Sequence, residues 1–265
     1  MSEAASTPIL HSGERPGRGE GFAYDEARHL AAYRYARELA RDLQVLDAGC
    51  GEGFGTVLLA ETARRVTAID YSAATVAAAA RAYQRPNLEF RQLDVYQLPG
   101  LDLRFDFITN FQVIEHLPDP AKFLSAVRAA LKPEGVLMLT TPNRLTTVSE
   151  NPYHLREYTA DELSALLRPL FGRIEMLSMM GNAKVRAFDA ERARQVQRIL
   201  RFDPLGLRHR LPHSVVKFAF GRLAVLVRRR VADEADETRS IVPSDFHVAE
   251  GSDPAALDLV ALCRR

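Results

Sequence analysis

The stretch VLDAGCGEGFG, residues 45–55, opens as an apolar run, turns on glycines at positions 49, 51 and 53, and closes where a helical pattern begins. Glycine lets the backbone turn sharply and approach a ligand closely. The helix N-terminus that follows presents N–H groups without intrahelical partners, which can hold the carboxylate of an amino-acid ligand. Asp47, at the strand end, can balance the matching ammonium. A loop of this kind taken alone also fits a dinucleotide enzyme, or a tight turn with no ligand.

Outward from this loop the pattern alternates. Apolar runs at residues 44–47, 66–70, 88–92, 105–110, 135–140 and 173–179 read as strands. Between them, residues 56–63, 73–83, 121–131 and 160–167 read as helices. Such alternation predicts an α/β fold with a doubly wound, Rossmann-like parallel sheet. Right-handed crossovers then place the strand C-terminal ends on one edge, where ligands bind. Ahead of the sheet, residues 24–42 lack Gly and Pro and read as a cap helix with Leu30, Tyr33, Ala36 and Ala40 near one face. Residues 1–21 read as a flexible lead. Residues 182–254 break the rhythm as a helical, basic insertion, and LDLVALC at 257–263 reads as a final strand. The expected division is therefore 1–43 lead and cap helix, 44–181 with 255–265 core, and 182–254 insertion.

Two acids in register narrow the ligand. AIDYS, residues 68–72, ends the second strand with Asp70, at the spacing of a ribose-binding carboxylate. Tyr71 can pack on an adenine. LDV, residues 93–95, follows the third strand, where Asp94 can accept from the adenine amino group while Val95 lies against the ring. Each acid alone is an ordinary loop residue; together they describe a nucleoside site.

Bulk properties agree with a globular enzyme. The chain has 265 residues, 47% hydrophobic and 26% charged, with 35 Lys and Arg against 34 Asp and Glu. That balance gives no global pull toward nucleic acid or membrane. Cys50 and Cys263, the only cysteines, form neither a disulfide framework nor a metal-type spacing, which fits a reducing cytoplasm. No secretory leader and no membrane-length apolar run is read, so the expected location is cytoplasmic.

With VLDAGCGEGFG, AIDYS and LDVYQLP, the later pieces FDFITNFQVIEHLPDP and LKPEGVLMLTTPN make a specific set over residues 44–179. The chain resembles class I S-adenosylmethionine-dependent methyltransferases, of the bacterial small-molecule kind. The resemblance implies a seven-strand sheet with an antiparallel last strand, which suits residues 257–263. It also implies S-adenosyl-L-methionine as cofactor, with contacts from Asp47, Gly49, Gly51, Asp70, Tyr71, Asp94, Val95 and Asn110.

The acceptor side has two clusters. Residues 110–120 leave the fourth strand and hold Gln112, Glu115 and His116. His116 can be a general base, since its ordinary pKa lies near neutrality, or a structural residue opening a helix. Ubiquinone-type O-methyltransferases carry a similar Glu–His pair with another acid three residues earlier. Gln112 stands there here, so too few hard ligands cluster and no metal is expected. The second cluster is NPYHLREY, residues 151–158, with Tyr153, His154, Arg156, Glu157 and Tyr158. It looks like a signature of methyltransferases in cell-surface sugar and secondary-metabolite pathways, with His154 as base or substrate ligand and Tyr153 and Glu157 as substrate contacts. Thr159 and Glu162 form a capping-box pattern that starts the next helix. Tyr24 and Tyr35 of the cap helix are further substrate contacts, or simply pack the cap.

Two functions are expected from different classes. One is methyl transfer to a hydroxyl of a small metabolite, a sugar, polyketide or similar, with a histidine base. The other is an RNA or protein methyltransferase docking through the arginine-rich insertion. Asn110-Phe111-Gln112-Val113 replaces the Asn-Pro-Pro-Tyr type of sequence, which disfavours base N-methylation. The expected partner is thus a small-molecule acceptor and not nucleic acid. Residues 184–230 offer a peripheral membrane or anionic-substrate contact, and a homodimer is open.

Overall fold

The computed structural model describes residues 23–148, 151, 153–200 and 241–265. The flexible lead read from the sequence and residues 201–240 of the basic insertion lie outside the described residues.

The helix α1 (Ala23–Leu39) leads into β1 (Gln44–Ala48), and a glycine turn joins β1 to α2 (Thr56–Leu59). Then follow β2 (Arg65–Asp70), α3 (Ala73–Ala82), β3 (Leu88–Gln92), β4 (Phe105–Phe111), α4 (Pro120–Ala130), β5 (Leu131–Pro142), α5 (Ala160–Leu167) and β6 (Arg173–Gly181). The described residues close with α6 (Ala183–Leu200), β7 (Phe246–Glu250) and β8 (Asp258–Arg264). One sheet holds all eight strands in the order β3-β2-β1-β4-β5-β8-β6-β7. The strands from β3 to β5 pair in parallel. As expected, β8 is antiparallel, inserted between β5 and β6.

The central strands are covered on both faces, so their sequences are nearly continuous apolar runs. Alternate residues still choose opposite sides. Leu46 and Ile108 join a core with Phe123, Leu124 and Val127 of α4 and Leu163 and Leu167 of α5. Val45 and Phe107 join the opposite core, with Tyr24, Ala31, Tyr33 and Ala36 of α1 and Val185 of α6. Local signals start the helices. Asp119 accepts from the Lys122 N–H at 2.9 Å ahead of Pro120, the first residue of α4. The Thr159–Glu162 capping box closes in both directions. Both cysteines are buried, and neither is in a disulfide. Among the described residues, no helix is long and apolar enough to cross a membrane.

Three expectations are corrected. The sheet has eight strands, not seven, because β7 pairs antiparallel with β6 through Leu177↔Glu250 to Gly181↔Phe246. The insertion read over 182–254 therefore ends earlier, since Phe246–Glu250 belongs to the sheet. Its burial runs from Phe246 at 5% exposure to an open Glu250, the pattern of a half-wet edge strand with no strong apolar alternation to announce it. The helix read over 56–63 is a single α-helical turn, Thr56–Leu59, followed by tighter hydrogen-bonded turns as far as Ala63.

Candidate active site

A cavity of about 750 Å³ opens over the C-terminal ends of the parallel strands, roofed by α1 and α6. At one end lies the glycine turn. Gly49 and Gly51 hold φ of 89° and 53°, conformations that cost a side-chain-bearing residue energy. The Gly49 and Cys50 N–H groups donate to the Ile69 carbonyl at 2.8 and 2.9 Å, which locks the turn onto β2. A Cβ on Gly49 would sit 2.5 Å from Val113 Cγ2, so glycine here lets the loop after β4 pack against the turn. A Cβ on Gly51 would meet nothing within 4 Å, because that side faces open space.

Asp70 ends β2 beside this turn. Its Oδ2 accepts from the Gly51 N–H at 3.2 Å and its Oδ1 from the Ser72 N–H at 2.9 Å. Tyr71 follows with 59% exposure and lines the same space. Asp94 and Val95 complete the wall. Asp94 Oδ1 also accepts from Tyr96 N–H at 2.9 Å, capping a short 3₁₀ helix, Val95–Gly100.

Asp47 lies behind the turn, fully buried and outside the cavity lining. Its carboxylate accepts from Thr56 Oγ1 at 2.6 Å, Thr109 Oγ1 at 2.9 Å and the Tyr33 hydroxyl at 3.1 Å. Burial pushes its pKa up to about 6, against the lowering pull of those three hydroxyls.

The other end of the cavity carries the acceptor-side cluster. Glu115 and His116 sit on a single 3₁₀ turn, Ile114–His116, directly after β4. The loop after β5 folds back onto this turn. Leu155 and Arg156 N–H groups both donate to the Glu115 carbonyl, at 2.8 and 3.2 Å. His116 Nδ1 lies 3.0 Å from the Tyr153 carbonyl, which only accepts, so Nδ1 carries the proton and Nε2 the lone pair. His154 Nδ1 lies 2.6 Å from Glu157 Oε1, and its Nε2 is 2.9 Å from Asn151 Nδ2. Asn151 Oδ1 accepts from Tyr153 N–H, which fixes the amide and leaves the His154 lone pair on Nε2 as well. The two rings meet edge to face, with centroids 4.9 Å apart.

Two carboxyls differ sharply around these rings. Burial raises the Glu157 pKa, but hydrogen bonds from His154 and Thr147 outweigh it and hold the group below its ordinary value. Glu115 is 1% exposed. Burial pushes its carboxyl up to about 8, although Thr141 Oγ1 donates to Oε2 at 3.0 Å. Among the described residues its Oε1 has no hydrogen-bond partner.

The cavity thus brings together Gly49, Gly51, Asp70, Tyr71, Asp94, Val95, His116, His154, Glu157 and Tyr24. Four expected contacts lie elsewhere. Asp47 braces the turn from behind. Asn110 is buried and donates its amide to the Ala48 carbonyl at 2.7 Å, tying β4 to β1, while its neighbours Phe111, Gln112 and Val113 reach the cavity. Tyr35 packs on the far side of α1, near Glu175 and Glu250 of β6 and β7. Tyr153 acts through its backbone, as the acceptor for His116.

Other lining residues were not read as site residues. Asp25 and Arg28 of α1 and Arg186, Asp189 and Arg192 of α6 close the roof. Arg28 pairs with Asp258 of β8 at 3.2 Å, and Tyr24 donates to Asp189 Oδ2 at 2.8 Å. Tyr24 and Arg28 stand one turn apart, so helical spacing already put them on one face. Gln112 holds φ of 56°, an uncommon value for its residue type, where the chain leaves β4 into the cavity.

Residues 46–139 match the family model described as a methyltransferase domain. That segment is a class I S-adenosylmethionine-dependent methyltransferase domain. A Mycolicibacterium smegmatis protein named "Probable S-adenosylmethionine-dependent methyltransferase" is 42% identical over 163 residues, which span 59% of this chain and 62% of the relative. The chain therefore matches less than two thirds of that relative's length. A ubiquinone biosynthesis O-methyltransferase from Methylocella silvestris is 34% identical over 113 residues, 42% of this chain and 44% of that protein. Among solved structures, the cyclase SpnF superposes with a TM-score of 0.55 at 21% identity, covering 89% of this chain and 80% of that one. At that identity the likeness speaks for the fold alone.

The methyltransferase domain's cradle fits S-adenosylmethionine by its own geometry. The open face of Gly51 admits a backbone-close ligand, Asp70 lines the cavity with a carboxylate for ribose hydroxyls, and Asp94 with Val95 suits an adenine. The cavity is continuous from this cradle to the two histidines.

Proposed function

We propose that the chain is an S-adenosylmethionine-dependent methyltransferase that moves a methyl group to a hydroxyl of a small metabolite, a sugar, polyketide or similar compound. The observation that carries this reading is the single cavity joining the nucleoside cradle to His116 and His154, each held with its lone pair on Nε2. When bound, S-adenosylmethionine supplies a methyl group already activated on a sulfonium. The chain's residues then have two tasks. They hold an acceptor oxygen in line with that methyl, and they take its proton. A neutral imidazole whose Nδ1–H is tied to Glu157 or to the Tyr153 carbonyl suits the second task, because the partner sets tautomer and ring orientation.

The Methylocella silvestris O-methyltransferase likeness supports oxygen as the acceptor atom. Arg186 and Arg192 line the roof beside Tyr24. They support an acceptor that carries an anionic group, and they turn part of the basic segment toward the cavity rather than toward a separate docking face.

Titration calorimetry with S-adenosylmethionine, followed by a labelled-methyl transfer screen over hydroxylated metabolites, tests the reading. Binding and transfer to at least one hydroxyl are expected. His154→Ala and His116→Ala are expected to cut turnover by roughly 100-fold or more while changing cofactor affinity little. Absence of cofactor binding by the wild type would overturn the assignment. Full turnover in both variants would place the base elsewhere.

A further inference from the structure

The acceptor-side cluster has the composition of a metal site as well as of a base. Glu115, His116 and His154 each place one ligand atom within 4.8 Å of the others. The sequence alone offered only the adjacent Glu115 and His116, with Gln112 where a third acid would help. The fold brings His154 in from the loop after β5, clasped to the Glu115 turn by the Leu155 and Arg156 N–H groups. We propose that Glu115, His116 and His154 bind one divalent metal ion of the zinc class at the acceptor end of the cavity. The proposal deepens the methyl-transfer reading and rests on it for its purpose, though not for its test; with the ion bound, the two imidazoles act as ligands that hold the acceptor oxygen through the metal, in place of the base role.

Three observations point to an ion rather than to a hydrogen-bonded cluster alone. First, Glu115 Oε1 is buried without a hydrogen-bond partner among the described residues, a state that costs free energy unless a cation or donor meets it. Second, both histidines hold Nδ1 on an outer acceptor, the Tyr153 carbonyl and the Glu157 carboxylate. That is how metal-bound imidazoles are oriented, with Nε2 turned inward as ligand. Third, two imidazoles and one carboxylate leave an open position in a four-coordinate sphere. The nitrogen-rich set favours zinc or cobalt over magnesium or calcium, which prefer oxygen shells.

The geometry needs modest closure. Ligand atoms in a tetrahedral zinc sphere stand roughly 3.4 Å apart, against the 4.8 Å envelope here. The ion would also replace one hydrogen bond, that from Asn151 Nδ2 to His154 Nε2. All three residues line the cavity, so an ion held there would be within reach of an acceptor. An acceptor hydroxyl bound there loses its proton to solvent water, and its oxygen attacks the methyl carbon. The carbon–sulfur bond breaks with its electron pair on sulfur, giving a methyl ether and a neutral thioether.

The test uses tag-free full-length chain equilibrated with Zn²⁺ or Co²⁺, desalted, and assayed for bound metal by emission spectrometry and for visible Co²⁺ bands. One ion per chain and four-coordinate Co²⁺ bands are expected. His154→Ala, His116→Ala and Glu115→Gln are each expected to weaken Zn²⁺ binding by about 100-fold or more. His247→Ala, on the exposed edge of β7, is expected to leave it unchanged. Cofactor calorimetry on every variant checks that the fold persists. No bound metal in wild type that still binds S-adenosylmethionine would overturn the metal site and leave the methyl-transfer reading standing. Equal binding by wild type and the His116→Ala/His154→Ala pair would also overturn it, as a surface site only. Metal binding without cofactor binding would instead sink the methyl-transfer reading and keep the ion.

Discussion

Asp47 shows how one residue can matter to a ligand it does not line. Its carboxylate receives three hydroxyls and is sealed from water. Burial outweighs those donors and lifts its pKa from 3.8 to about 6. Well below pH 3.8, folded and unfolded chains both hold the proton, and no penalty acts. Between about 4 and 6 the folded chain binds more protons, so stability falls as pH rises through that window. Above about 6 the loss is complete, at about 3 kcal/mol for a shift of this size. Asp47→Asn keeps the shape and removes the titration. Urea unfolding at pH 4 and pH 7 is expected to show the wild type losing about 2–3 kcal/mol more across that interval than the variant. Asp70, by contrast, lines the cavity itself. Replacing it with Ala removes the expected ribose acceptor and two loop hydrogen bonds. Calorimetry is expected to show S-adenosylmethionine affinity down by roughly 10- to 100-fold, the scale of charged hydrogen bonds. These residues were legible because their motifs are local: strand, acid, glycine, at fixed spacing. Arg28 was not, since its partner Asp258 lies at the other end of the chain and only the sheet brings them together.

At the scale of elements, the glycine turn is held from above as well as below. A Cβ on Gly55 would collide with the Tyr33 ring, which is buried against Phe111 at 4.7 Å between centroids. Tyr33 reaches from α1 to Asp47, so this contact fixes the cap helix to the cradle. Gly55→Ala is expected to push the ring aside, cost about 1–3 kcal/mol in thermal or urea unfolding, and weaken cofactor binding with it. A control at the opposite face separates simple stability from site damage. Thr159→Ala breaks the α5 capping box, and is expected to cost about 1 kcal/mol with cofactor affinity unchanged. The elements that periodicity revealed were those with two buried faces or a clear cap. β7 escaped because FHVAE is a short, half-wet strand lying within a polar stretch, and its pairing with β6 is set by tertiary structure rather than by its own pattern. The 3₁₀ turn that carries Glu115 and His116 is too short to show any period at all.

At the scale of the whole molecule, the alternating strands made the doubly wound sheet readable, while the chamber depends on contacts far apart in sequence. β1, β2 and the turns after β3 and β4 build the floor, the loop after β5 one wall, and α1 with α6 the roof. The roof is pinned by Arg28 to Asp258 and by Tyr24 to Asp189, with Arg192 over the Tyr24 ring at 5.9 Å. A ligand that fills this chamber touches floor and roof together and binds only the assembled state. Such linkage adds RT ln(1 + [L]/Kd) to stability, about 2.7 kcal/mol at 100 times Kd. For a chain of this size each kcal/mol is worth roughly 2–4 °C. Saturating S-adenosylmethionine is therefore expected to raise the melting temperature by about 5–10 °C in differential scanning fluorimetry. Asp70→Ala at the same ligand concentration is expected to lose most of that rise, because its Kd has moved toward the concentration used. Thr159→Ala is expected to melt lower yet keep the full increment. An equal rise in the Asp70→Ala protein would mean that the ligand stabilises some other surface, and that the chamber between sheet and roof is not where it binds.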